Sequence, residues 1–265
     1  MYSKEHINYL KKEKRKKVLV NITQLTIIIV FLLIWEYLSQ KELINPFIYS
    51  SPSKVIKTII SLYKSNNLFN HIFITIYETF ISFMLATLIG TLVAIILWFN
   101  KFLYKVFDPY LTIINSMPKV ALGPIIIILC GANMKSIIIM ALLISVIITI
   151  SNVYNGFSNT DKNKIKLLKS LGATKFQILE ILVMPSNYSV IINSLKINVS
   201  MSLIGVIMGE FLVSKKGIGY LINYGSQVFN LNLVISGIII LLLVSYIMYL
   251  IVAYIEKILI KEYYD

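Results

Sequence analysis

The length of its uncharged stretches limits this chain more than any other feature. From Leu231 to Ile260 it runs almost wholly apolar, interrupted chiefly by Ser236, Gly237 and Ser245. Comparable runs occupy Val18–Leu38, Ile72–Phe99, Tyr110–Cys130, Ser136–Ile150 and Asn187–Val213. About 20 apolar residues cross a hydrocarbon layer as a helix, against roughly 10 as a barrel strand. Lipid offers the backbone no hydrogen-bond partners, so a spanning segment must satisfy its own N–H and C=O groups. The predicted fold class is therefore an all-α polytopic membrane protein with six transmembrane helices. Composition agrees: 57% of 265 residues are hydrophobic and 14% are charged, little more than half the charge of a soluble domain.

The charge that is present has a pattern. Lys and Arg number 25 against 12 Asp and Glu, an excess that invites a nucleic-acid reading. The basic residues instead cluster at the ends of apolar runs, where they set orientation, so no nucleic-acid partner is expected. With both termini inside, the inner segments hold 16 basic residues and the outer segments 7. The expected location is a bacterial cell membrane, crossed several times, with cytoplasmic N- and C-termini. One cysteine, Cys130, excludes an internal disulfide, and with His6 and His71 as the only histidines the chain has no set of metal ligands.

Taken in order, residues 1–17 read as a basic cytoplasmic N-terminus and 18–38 as the first transmembrane helix. The helix is retained rather than cleaved, because its apolar core is longer than a signal peptide's and ends in Trp35, Glu36 and Tyr37. Residues 39–70 form an outer segment. In it Ser51-Pro52 starts an amphipathic helix whose apolar face carries Val55, Ile56, Ile59, Ile60 and Tyr63. Residues 71–260 make a core of five further helices, and 261–265 a short tail. Ile72–Phe99 would cover roughly 42 Å at ~1.5 Å per residue, so it tilts or projects. Asn100–Asp108 reads as a short inner turn, and the fourth helix is expected to continue to Tyr154.

Within the core, 155–185 is polar and basic between two apolar runs. Two short amphipathic helices are predicted, joined at Leu171-Gly172-Ala173-Thr174. Gly172 falls where the first helix must end and takes a left-handed cap without steric cost. In the second helix Phe176, Leu179, Leu182 and Val183 share a face. Such a knob suits docking on another protein; the plainer alternative is an interfacial amphipathic loop.

Two spans carry unusual residues. Tyr110–Cys130 contains Ser116-Met117-Pro118-Lys119 and Gly123-Pro124, and prolines at membrane depth kink a helix where it faces protein or a cavity. In Asn187–Val213, Ser194, Asn198, Ser202, Gly205 and Gly209 fall on one helical face. Close helix packing explains that stripe, and so does a pathway lining. Lys196 points away from it, to snorkel to headgroups or pair inside the bundle. Glu210 is expected to be semi-exposed beside Lys215 and Lys216, and Ile240 to face lipid.

The spacing from Lys166-Leu167-Leu168 through Gly172 and Leu182 to Met184-Pro185 resembles the "EAA" loop of ABC importer membrane subunits. There an acidic residue stands where this chain has Lys166. Ser116-Met117-Pro118 with Pro124, Ser170-Leu171-Gly172-Ala173, Leu195-Lys196-Ile197, Gly209-Glu210 and Gly217-Ile218-Gly219-Tyr220 extend the likeness over roughly residues 45–260, to the nitrate/sulfonate/taurine-type branch. There an arginine generally occupies the place of Lys196.

This resemblance implies a type I ABC importer permease fold with cytoplasmic coupling helices. It implies a homodimer in the bilayer, two cytoplasmic ATPase subunits and an external solute-binding protein. ATP would be bound by the partner; this chain holds no cofactor, no metal and no catalytic residues, and lacks a Gly-Lys-Ser/Thr phosphate loop. ATPase coupling would fall to Lys166, Leu167, Leu168, Leu171, Gly172, Ala173 and Pro185. The translocation pathway would be lined by Ser116, Pro118, Ser194, Asn198 and Ser202. Structural or gating roles would fall to Lys196, Glu210, Gly217 and Gly219. The implied solute is a small organic anion such as an aliphatic sulfonate, with a vitamin precursor as alternative. An ion-coupled secondary transporter would need buried carboxylates or inverted repeats. No repeat is visible, and Glu36, Glu78 and Glu210 are placed toward outer ends.

Overall fold

The computed structural model describes residues 4–65 and 67–264, with the side chains of 1–11, 46 and 259–265 outside the description. The basic side chains of Lys4, Lys11 and Lys261 lie outside it. Long helices dominate: α1 (Lys4–Gln40), α4 (Asn67–Phe99), α7 (Met134–Ser158), α11 (Tyr188–Val213) and α13 (Leu231–Tyr264). Each is long and apolar enough to cross a membrane. The sixth span is a bent pair, α5 (Lys101–Ser116) and, after a 3₁₀ turn at Lys119–Leu122, α6 (Gly123–Cys130). The two halves meet at 92°. Met117 and Pro118 are extended, as expected where a residue precedes proline and where proline has no N–H to continue the ladder. The stretch expected as an inner turn, Asn100–Asp108, is instead the start of α5. Asn100 caps it by accepting the N–H groups of Phe102 and Leu103 at 3.1 and 3.2 Å.

The bundle centre is a three-helix seam of α4, α7 and α11. Small residues decide how closely it packs. A Cβ on Gly90 would lie 2.6 Å from the Thr149 Cβ, one on Gly209 2.9 Å from Ile137 Cγ2, and one on Gly205 would enter the Ala141 backbone. Gly205 and Gly209, one turn apart on α11, let α7 and α11 approach to backbone contact, and Gly90 does the same between α4 and α7. α13 packs along the other side of α11, through a cluster that includes Val199, Leu203, Ile207, Val244 and Met248. Ile240, expected to face lipid, is buried there at 5% exposure.

At the end of the bundle that carries Gln40 and Asn67 lie α2 (Pro46–Tyr49), α3 (Pro52–Lys64) and α12 (Ile218–Gln227); we call it the far end. The Ser51 hydroxyl caps α3 by accepting the Lys54 N–H. The apolar face of α3 divides: Val55 is buried, while Ile56, Ile60 and Tyr63 stay exposed. α1 is fixed only here among its described side chains. Trp35 Nε1 donates to Tyr49 O, and the Glu36 carboxylate accepts the Ser53 N–H and Oγ–H. From Lys12 to Ile34 every described side chain of α1 is exposed.

At the opposite end, α8 (Lys162–Ser170), α9 (Lys175–Ile178), a π turn at Leu179–Val183 and α10 (Met184–Ser186) form a knob between α7 and α11. α7 runs on to Ser158, past the expected Tyr154, so the knob proper is shorter than 155–185.

Candidate functional site

The knob is built from short-range capping. Asp161 accepts the Asn163 N–H to start α8. At its end, the Gly172 N–H bonds Lys169 O and the Ala173 N–H bonds Leu168 O, both at 3.0 Å. This crossed pair is the Schellman arrangement, and it places Gly172 at φ +83°. Thr174 then caps α9 reciprocally with Gln177. The π turn precedes Pro185, whose ring would clash with the carbonyl four residues back in a regular helix; a widened turn accommodates it.

The knob has an inside and an outside. Ile178, Leu179 and Val183 are buried with Leu97, Val153, Tyr154 and Phe157, and Ile165, Leu168, Ala173 and Met184 pack on that cluster. Asn187 locks the base, its Nδ2 donating to Thr160 Oγ1 and Val183 O, both at 2.8 Å. Outside, Leu167 and Leu171, one turn apart, are 60% and 74% exposed, and Phe176 is 64% exposed. Lys162, Lys164, Lys166 and Lys169 are exposed around them. The three leucines assigned to coupling are thus split, with Leu168 turned inward. Phe176 likewise leaves the face it was expected to share with Leu179 and Val183, and Ile178 takes the inner place.

The polar stripe of α11 is engaged within the protomer. Asn198 Nδ2 donates to Thr87 and Thr149 hydroxyls at 2.7 Å each, and Ser202 Oγ donates to Ser145 Oγ at 3.1 Å. Ser194 bonds its own helix at Val190 O. All three are buried. Of the two explanations for the stripe, this placement fits packing: the polar atoms of Asn198 and Ser202 are engaged between α4, α7 and α11, and Ser194 is buried with its hydroxyl on its own helix. Ser116 and Pro118 are different, exposed at the α5–α6 bend. Beside them a cavity of about 230 Å³ opens between α5 and α7, with Thr112, Asn115, Ser151 and Asn155 among its lining.

Glu210 and its glycines form a second constellation, at the far end. Glu210 is fully buried; the expected semi-exposed pairing with Lys215 and Lys216 does not occur, because the chain turns α12 back over it. Thr75 Oγ1 donates to Oε1 at 2.6 Å, and the Gly219 N–H donates to Oε2. The Ile218 N–H bonds Thr75 Oγ1 at 2.8 Å, and the Gly217 N–H bonds His71 Nδ1 at 2.9 Å. Gly217 sits at φ +105°, and a Cβ there would fall on the Glu210 carboxylate. Glu78, 1% exposed, lies against Glu210. Both carboxyls lie at the far end of their helices, but buried rather than exposed. Lys196 pairs within the bundle, its Nζ 2.6 Å from Glu256 of α13.

Residues 86–261 match the family described as "Binding-protein-dependent transport system inner membrane component". The chain belongs to this family. The permease is 27% identical to the formylaminopyrimidine transport permease protein ThiX of Halalkalibacterium halodurans, over 72% of this chain and 76% of that protein. It is 19% identical to the taurine transport system permease protein TauC of Escherichia coli, over 83% and 82%. Its fold is similar to a chain of the MetNI methionine ABC transporter in an inward facing conformation. The TM-score is 0.65 at 18% identity, covering 73% of the permease and 96% of that chain. The permease thus has the type I ABC importer permease fold and is a transport protein, not an enzyme.

The fold of the permease brings Glu210, Gly217 and Gly219 into one contact, and Leu167, Lys166, Leu171 and Gly172 onto one exposed cap. Ala173 and Pro185 are half-buried at its base. Lys196 stands apart from both groups. Thr75, Glu78 and His71 were missed. A signal for them exists: His71, Thr75, Glu78 and Ser82 follow at intervals of four, three and four, a polar face on an otherwise apolar helix.

Proposed function

We propose that the permease imports a small solute by alternating access, as a homodimer joined to two ATPase subunits through the knob and fed by an external solute-binding protein. The exposed Leu167–Leu171 pair on a stiffly capped helix carries this reading. Two large apolar side chains facing water at a membrane protein's basic end are a liability unless a partner covers them, and burying each contributes about 1.5–3 kcal/mol. The knob end is then cytoplasmic. Lys166, beside the leucines, faces the same partner, and Gly172 and Ala173 set the angle at which α9 leaves. The second protomer belongs on α5 and α6, where Ile113, Ile125, Ile128 and Leu129 are exposed around the bend. That places Ser116, Pro118 and the Asn115–Asn155 cavity near the dimer axis, as the pathway.

For the solute, an aliphatic sulfonate or related small organic anion is the first reading. A pyrimidine vitamin precursor is the second, favoured by the higher identity to the formylaminopyrimidine permease. The test is reconstitution of the permease with its ATPase and binding protein in proteoliposomes. Solute-loaded binding protein should stimulate ATP hydrolysis, with taurine and formylaminopyrimidine as the two solutes compared. Hydrolysis indifferent to the binding protein would refute import.

A further inference from the structure

Two lysines stand inside spans of the core, and the fold treats them differently. Lys196 on α11 is neutralised by Glu256 at 2.6 Å. Lys119, in the 3₁₀ turn of the bent span, has no carboxylate partner among the described residues. Its half-buried side chain folds back on the last turn of α5, where Nζ donates to Asn115 O at 3.1 Å and to Asn115 Oδ1 at 3.4 Å. Asn115 is ~21 Å along α5 from Lys101 at about 1.5 Å per residue, so the ammonium stays within the depth of a roughly 30 Å hydrocarbon layer.

Capping explains part of this contact, because a lysine beside the last turn of a helix satisfies its free carbonyls. It does not explain the charge. Neutral acceptors leave the ammonium uncompensated, and an ionisable group at membrane depth is costly unless an opposite charge or water meets it. Lysine has three donors, so one Nζ–H remains free. An ammonium can face only the oxygen of an amide, so the Asn115 Nδ2 group is turned away from it, and it has no partner among the described residues. These donors lie at the exposed bend, beside Ser116 and Pro118, and Asn115 also lines the cavity between α5 and α7. The acid in that lining, Asp108, is two turns back along α5 and accepts the Tyr104 hydroxyl at 2.7 Å.

We propose that Lys119 and Asn115 form an anion-selecting subsite of the translocation pathway, which receives a small oxyanion group such as a sulfonate or carboxylate. This rests on the pathway reading above and narrows its solute. An anion supplies the counter-charge that the fold withholds, whereas a neutral pyrimidine leaves the ammonium uncompensated. A lipid phosphate offers the same chemistry, and the experiment separates the two sources.

The experiment uses the full chain in detergent, carrying Cys130→Ala and Ser116→Cys. Three methanethiosulfonates report on the bend: the anionic sulfonatoethyl, the cationic trimethylammonioethyl and the neutral methyl reagent. Normalised to rates on a free thiol, the anionic reagent should react about tenfold faster than the cationic one, within the range of field focusing by a charged cleft. Lys119→Gln should bring the two rates together, and Lys119→Arg should keep them apart. At constant ionic strength, sodium methanesulfonate should slow labelling by the neutral reagent in a saturable way, and Lys119→Gln should abolish that protection. A lysine that only caps α5 gives no protection. No labelling by any reagent refutes the pathway reading and the proposal together. Equal normalised rates, or labelling indifferent to methanesulfonate, overturn the proposal alone, and both are read with Lys119 in place. Protection by added anionic phospholipid but not by methanesulfonate also overturns it, in favour of a lipid headgroup.

Discussion

Gly172 and Gly205 are both glycines the fold requires, for opposite reasons. Gly172 has no atom within 4 Å of where a Cβ would stand, but its φ is +83°. Gly205 has ordinary helical backbone and no room. Gly172→Val should therefore leave the bundle's thermal unfolding in detergent within about 1–2 kcal/mol of wild type, while weakening ATPase binding, because the strain is relieved by redirecting α9. Gly205→Leu should cost more than the ~1–3 kcal/mol typical of overpacking, since the obstacle is the Ala141 backbone, and should abolish the folded chain. Size-exclusion profiles and melting curves separate the two; equal melting temperatures would contradict the packing described for α7 and α11.

Among elements, the α11 stripe and the knob show what could and could not be seen in advance. The register of small and polar residues from Ser194 to Gly209 was legible because a helix repeats every 3.6 residues. What the stripe touches was not, since Thr87, Thr149 and Ser145 lie on helices remote in sequence. The Schellman cap was legible at Gly172, the split of the leucine ridge less so: which side of α8 faces the bundle depends on Phe157 and Leu97 beneath it. In the second helix Ile178, not Phe176, joins Leu179 and Val183 inside. Prolines at 118 and 124 announced a break, but its 92° angle depends on the extended pair Met117-Pro118. Cysteine scanning after replacement of Cys130 checks the assignment of faces. Cysteines at 115 and 116 should react with a water-soluble thiol reagent, and those at 198 and 202 should react no faster than one at lipid-facing Leu242. Fast labelling at 198 would return the stripe to the pathway.

The knob also carries a departure that bears on its partner. Lys166 stands where the EAA loop that this stretch resembles has an acidic residue, so in the proposed joint it would face a carboxylate rather than a base. Lys166→Glu should impair transport-coupled ATP hydrolysis, and an acidic-to-basic change in the ATPase groove should restore part of it. An exposed pair is worth under ~1 kcal/mol, so the expected loss is a few-fold. A silent Lys166→Glu would assign the coupling to Leu167, Leu171 and Gly172 alone.

The whole molecule has two distinct ends joined by one seam. The far end holds Glu78, Glu210 and the α12 turn; the opposite end holds the knob; α4, α7 and α11 join them through hydrogen bonds and backbone contacts at Gly90, Gly205 and Gly209. Lys196–Glu256 ties α13 to the same seam. On the proposed reading, energy entering at the knob would pass through its base, because Ile178, Leu179 and Val183 are packed with residues of α4 and α7. The central claim is that the exposed leucines of α8 are the joint with an ATPase. Affinity purification of the tagged permease from its own host membranes tests this most directly, with the ratio of co-eluting ATPase measured for wild type and for Leu167→Asp/Leu171→Asp. The account predicts equal numbers of ATPase and permease chains for wild type. For the double variant it predicts loss of the ATPase with an unchanged melting curve. Undiminished ATPase on the double variant, or none on wild type, would contradict it.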